Sequence, residues 1–159
     1  CDWSSDVCSS DLGELSFLHL LFNDLVRFIG DDFSPVRPEL CKEYPTNYCI
    51  RQQINGKFSI RTYIDMPEST CIAFASRYVD EDFHSFDEYV QSSLEDFLNL
   101  HNGLFNVNMS NEQGLELQLD VPNVVTDELV TFEHEAYMLP IVYSFGTIHF
   151  IFELIHNEL

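Results

Sequence analysis

Apolar residues return every three or four positions from Leu15 to Ile29, LSFLHLLFNDLVRFI, and the run stops at Gly30. That spacing predicts a core-packing helix with Leu18, Leu21, Phe22, Leu25 and Phe28 on one face and Gly30 as its C-cap. DDFSPVRPELCKEYPTN follows, with three prolines among polar residues, and reads as a connecting loop. CIRQQINGKFSIRTYI (49–64) alternates about Asn55-Gly56 and predicts a hairpin. A three-residue connection sets Ile54 opposite Phe58 and keeps Ile50, Ile54, Phe58 and Ile60 on one face. PESTCIAFASRYV (67–79) predicts a short helix opened by Pro67 and Glu68. Ser85 and Glu88 have the spacing of a capping box for a longer helix that runs to about Phe105. GLELQLDVP (114–122) alternates with Leu115, Leu117, Leu119 and Val121 together. AYMLPIVYS and GTIHFIFELI then predict two strands joined at 144–146. Pro140 cannot donate to a ladder, which places its strand at an edge or a bulge. One helix, two strands, two helices and three strands predict an α+β fold, a mostly antiparallel sheet covered by helices.

The start of the chain does not fit that picture. CDWSSDVCSSDLG has no apolar period, no basic n-region and no apolar h-region, so neither a core element nor a signal peptide is expected there. Asp2 to Leu12 resembles one reading frame of a sequencing-adapter oligonucleotide translated in error. Residues 1–12 are therefore set apart as non-native. Residues 13–159 are expected to form a single domain, the C-terminal part of a longer protein. Setting the segment aside removes three aspartates and no basic residue, which takes the net charge from −20 to −17. A surface this acidic repels nucleic-acid phosphates and anionic membranes, so neither is expected as a partner. Three cysteines remain, Cys41, Cys49 and Cys71, without C-x-x-C spacing; reduced thiols and a cytoplasmic setting are expected. The six histidines lack the spacing of a helical zinc site, and His19 and His101 fall on or near core-facing stripes. In FEHEAY, Glu133 and Glu135 share one face of an expected strand and His134 the other. No metal site is expected.

The long helix is unusual on its outer side. At about 100° per residue, Val90, Leu94, Phe97, Leu98, His101, Leu104 and Phe105 gather on one side. Asp96, Asn99 and Gly103 fall together opposite them, with Ser92 one turn earlier. The plain interpretation is a solvated helix face. Gly103 argues for more, because glycine costs a helix about 1 kcal/mol against alanine. Keeping it leaves room for another surface.

ASRYVDEDFHSFDEYVQSSLEDFLNLHNGLFNVNMSNEQGLELQLDVPNVV resembles the CheX-type chemotaxis phosphatase family (CheC, CheX and FliY-like domains). That family shows an A-S-x helix, an acidic loop, a long helix with an E-x-x-N-x-x-x-G pattern, a strand and a P-x-V segment. The order of elements agrees over roughly residues 15 to 155; only the long helix is motif-like. The resemblance implies that Asp96 takes the acidic position, Asn99 the amide and Gly103 the glycine, with Ser92 and Gly103 in the binding surface. It implies a bacterial domain that docks on a phosphorylated response regulator, engages the regulator's lysine through the acid and orients a water through the amide. Mg²⁺ would be held by the regulator and no cofactor by this chain. Asp96 departs from the pattern by one methylene, and Glu95 stands about 100° round the helix at the wrong spacing. The alternative is a non-catalytic interaction or sensory module on the same fold. A homodimer joined at sheet edges is also expected.

Overall fold

The computed structural model describes residues 9–155, with side chains from residue 17 onward. Residues 1–8 of the segment set apart above lie outside the described residues, and helix α1 (Ser9–Phe28) begins within that segment's last four positions. The apolar spacing of α1 buries Phe17, Leu18, Leu21 and Leu25, with Ile29 just past its end, while Phe22 and Phe28 are half-buried at the rim. His19 is exposed, against its expected place near the core stripe.

The stretch expected to be loop carries three short strands, β1 (Phe33–Pro35), β2 (Glu39–Leu40) and β3 (Glu43–Pro45). Each is only two or three residues long, too short to show alternation. The hairpin of β4 (Tyr48–Asn55) and β5 (Ser59–Met66) pairs Ile54 with Ile60, not with Phe58. The connection is two residues longer than expected, and a shift by two leaves every side chain on its predicted face. Ile50, Ile54, Ile60 and Ile64 thus all reach the core, and Phe58 packs half-buried beside them.

Helix α2 (Glu68–Val79) opens at Pro67 as expected, and Asp80 closes it in the left-handed region at φ 56°. Helix α3 (Glu88–Gln113) is capped by Asp87, whose carboxylate accepts from the Tyr89 and Val90 amides, so Ser85 and Glu88 form no capping box. It also runs eight residues past Phe105, to a left-handed Gly114. Asn106, Asn108 and Asn111 disguise that last stretch in sequence, because asparagine is a poor helix former. Packing of buried Met109 against the core outweighs the propensity.

Of the alternating segment 114–122 only Gln118 and Leu119 pair, as β6 (Gln118–Leu119). Leu115, Leu117 and Leu119 lean on the core, but Val121 is 78% exposed because the chain has left the sheet by then. Two strands not anticipated follow, β7 (Asn123–Thr126) and β8 (Leu129–Thr131). Glu133 and His134 lie in the bend that leads into the next strand and share no strand face with Glu135. The final hairpin is β9 (Glu135–Tyr143) and β10 (Gly146–Ile155). Strand β9 is flanked on its far side by β1 and β2, so it is not an edge. Pro140 sits where that outer pairing passes from β1 to β2, and its carbonyl accepts from the Val36 amide. The missing N–H costs no ladder bond there.

The antiparallel sheet runs β1-β9-β10-β5-β4-β6, with β2 beside β9 and β7 beside β4. Its inner face carries the three helices over one large core that includes Phe17, Phe74, Phe97, Phe105, Phe150 and Phe152. Burying each such ring contributes on the order of 1.5–3 kcal/mol. A β3–β8 ribbon covers part of the other face, over Tyr44, Tyr63, Val125, Phe132 and Ile151. Among the described residues, no helix is long and apolar enough to cross a membrane.

Candidate functional site

α3 lies across the inner face, with Val90, Leu94, Phe97, Leu98, His101, Phe105 and Met109 buried and Leu104 half-buried. The opposite stripe brings Ser92, Asp96 and Asn99 to solvent, all exposed, with half-buried Gly103 one turn on. Asp96 and Asn99 are three residues apart, so their Cβ atoms stand about 5–6 Å from each other. The predicted constellation is therefore together on one helix.

Neither the Asp96 nor the Asn99 side chain is loose. Tyr78, from the last turn of α2, donates its hydroxyl to Asp96 Oδ2 at 2.6 Å. Burial, and then this bond to a carboxylate, push the Tyr78 hydroxyl far above its ordinary range, so it stays a donor. Tyr78 and Asp96 line an open groove of about 410 Å³ with Val79, Glu81, Phe83, Tyr89 and Ser92. Beside it, Tyr48 donates to Gln91 Oε1 at 2.7 Å and Gln91 donates to Glu95 Oε1 at 2.8 Å. Burial, followed by the nearby Glu95, pushes the Tyr48 hydroxyl up to about 12. Glu95 is thus engaged along the side of the helix and does not substitute for Asp96.

Asn99 is held from below. Gln52 of β4 donates from Nε2 to Asn99 Oδ1 at 2.7 Å and to the Asp120 carbonyl at 2.9 Å. Gln52 Oε1 accepts from Asn102 Nδ2 at 2.9 Å, and the same Nδ2 reaches Thr62 Oγ1 at 2.9 Å. Thr62 Oγ1 in turn donates to the Gln52 carbonyl at 2.9 Å. Gln52, Thr62 and Asn102 are almost fully buried, at 1%, 0% and 0% exposure. Sequence reasoning missed these residues and Tyr78. A signal existed: Gln52 and Thr62 each interrupt a run of inward isoleucines, and they are cross-strand partners.

Gly103 gives the helix clearance. A Cβ built there would come no closer than 3.9 Å to Leu119 Cδ1, an ordinary contact. The fold itself does not demand glycine at that position.

Among the described residues, no group of three or more His, Cys, Asp and Glu side chains is placed to hold a metal ion. Asp96 and Glu95, the carboxylates nearest the amide on α3, are each engaged by a neighbouring donor.

Residues 48–146 match the family model of the chemotaxis phosphatase CheX, and the chain belongs to that family. The match takes in β4, Tyr78 and the whole of α3. The fold is similar to that of the chemotaxis protein CheX from Desulfovibrio desulfuricans, at 16% identity and a TM-score of 0.76, covering 89% of this chain and 98% of that one. It is equally similar to the CheX of a CheX–CheY–BeF3–Mg²⁺ complex from Borrelia burgdorferi, at 18% identity and a TM-score of 0.78, covering 89% and 97%. A CheC-like superfamily protein from Shewanella aligns at 19% identity and a TM-score of 0.75, covering 89% and 96%. No protein with a curated description matches this chain in sequence.

Proposed function

We propose that this domain docks the outer stripe of α3 on the phosphorylated receiver domain of a response regulator and hydrolyses its aspartyl phosphate. The observation that carries the reading is Asp96 and Asn99, side by side and exposed on one helix, each fixed from its flank by a bond to Tyr78 or Gln52. Family membership and the CheX–CheY complex among the similar structures support the choice of partner. An acyl phosphate is already activated, so what hydrolysis needs is a positioned water. Asn99 orients that water with its carboxamide, which offers both donors and an acceptor. The water oxygen attacks phosphorus, the bond from phosphorus to the acyl oxygen breaks, and the aspartate carboxylate and inorganic phosphate leave. Asp96 anchors the regulator's lysine. The Mg²⁺ that neutralises phosphoryl charge belongs to the regulator in this reading.

The second reading, binding without hydrolysis, draws on one specific feature. Asp96 is a methylene shorter than the family's glutamate, and Tyr78 already occupies one of its oxygens. Phosphate release from phosphorylated receivers separates the two. Hydrolysis is expected to accelerate release and to disappear in Asn99→Ala. If every decay curve matches that of the receiver alone while binding persists, the domain binds without catalysing. If neither release nor binding is seen with any receiver, the reading fails.

A further inference from the structure

Below the candidate site, the direction of every hydrogen bond around Gln52 can be assigned from two independent ends. At one end stands the Asp120 main-chain carbonyl, which can only accept, so the Gln52 atom facing it is the NH₂. That same NH₂ meets Asn99, so the Asn99 atom turned inward is its oxygen. At the other end, Thr62 gives its single hydroxyl hydrogen to the Gln52 main-chain carbonyl. Its oxygen is thereby left to accept, and Asn102 must face it with NH₂. The remaining hydrogen of that group then requires an acceptor on Gln52, which is Oε1. Both ends give Gln52 the same orientation.

We propose that Gln52 is a positioning residue that fixes the polarity of the Asn99 carboxamide, turning both Nδ2 hydrogens toward the docking partner. A carboxamide alone on an exposed helix could present either end. This one cannot turn over without setting its NH₂ against the NH₂ of Gln52 and leaving a buried polar group without its bond. The surface offered is thus a pair of donors, with the second lone pair of Oδ1 beside them. It suits a partner rich in acceptor oxygens: phosphoryl oxygens and the oxygen of a water held against them. The network also ties four separate parts of the fold together at that amide, since Gln52 lies on β4, Thr62 on β5, Asn99 and Asn102 on α3, and Asp120 just after β6. The inference rests on the reading of Asn99 as the residue that meets the phosphoryl group.

Two measurements on the full chain test it. The first needs no partner: hydrogen exchange of side-chain amides followed by NMR. In the wild type the Gln52 Nε2 hydrogens are expected to be protected and the Asn99 Nδ2 hydrogens to exchange as if in open solvent. Protection of Asn99 Nδ2 instead would overturn the assignment. The second uses Gln52→Glu, which keeps the volume but offers only acceptors when ionised. It is expected to flip Asn99 and lower the maximal rate of phosphate release on the order of a hundredfold, with half-saturation by the receiver little changed. Release should recover as pH falls relative to the wild type, because a protonated carboxyl donates to Asn99 again. A loss explained wholly by a lower melting temperature, with no recovery at low pH, would reduce Gln52 to a packing residue. A wild type that releases no phosphate defeats hydrolysis, while amide exchange still decides the polarity.

Discussion

At the scale of single residues, the site divides into what helical periodicity can show and what only the fold can bring. Asp96 and Asn99 are three positions apart on one helix, so their common face follows from the pitch alone. Tyr78 and Gln52 stand 18 and 47 positions from the residues they hold, and no local pattern joins such pairs. The tyrosine has a direct consequence. It steadies a short carboxylate in a place where a longer one would reach further, so reach and restraint can be varied separately. Asp96→Glu restores the missing methylene and is expected to raise phosphate release, by up to about a hundredfold if reach is limiting. Tyr78→Phe removes one hydrogen bond at a partly exposed position and should cost about 1 kcal/mol of stability. It is also expected to weaken receiver binding, because Asp96 must then be ordered at the moment of docking. Titration of receiver binding, alongside urea unfolding, checks both variants.

Elements with a long apolar period were legible and short ones were not. The helices and the two long hairpins declare themselves because many side chains face one core. β1, β2, β3, β7 and β8 span two to four residues each, and tertiary pairing alone makes them strands, while β6 keeps two residues of a longer strand that alternation did show. The end of α3 was hidden by asparagines, and its start by a serine with the right spacing that yields to Asp87. That cap predicts a loss of about 1 kcal/mol in Asp87→Ala, since the Tyr89 and Val90 amides lose their acceptor. Gly103 predicts the opposite sign. With 3.9 Å of clearance, Gly103→Ala should gain about 1 kcal/mol of helix stability, seen as a rise of a few degrees in melting temperature. If the glycine is kept for docking, the same variant binds the receiver less tightly. A more stable domain with unchanged binding would assign the glycine no part in the interface.

For the molecule as a whole, acidity governs behaviour but a buried histidine governs one window of pH. With a net charge of −20 the chain carries many carboxylates. His101 of α3 is fully buried among Phe17, Phe97 and Phe150, and its Nδ1 lies 2.8 Å from Asp24 Oδ2 of α1. Asp24 would favour the charged ring, but burial outweighs it and lowers the pKa below the ordinary value. Geometry gives the reason: Nε2 is buried with no acceptor among the described residues, so a second proton there would be stranded. His149, facing Tyr44 near Asp65, is lowered by burial as well. A histidine neutral when folded and ready to charge when unfolded makes the unfolded chain bind more protons. Stability is then fully present above the unfolded value of about 6.5 and is lost as pH falls below it. Each such histidine steepens the loss by up to about 1.4 kcal/mol per pH unit. Urea unfolding at pH 7.5, 6.5 and 5.5 is expected to show that decline, and His101→Gln to remove one proton's share of the slope. A steeper loss in His101→Gln, or stability that rises on acidification, would mean that Asp24 holds the ring charged and that α1 and α3 are joined by an ion pair; an unchanged slope would mean that the ring binds protons alike in the folded and unfolded chain.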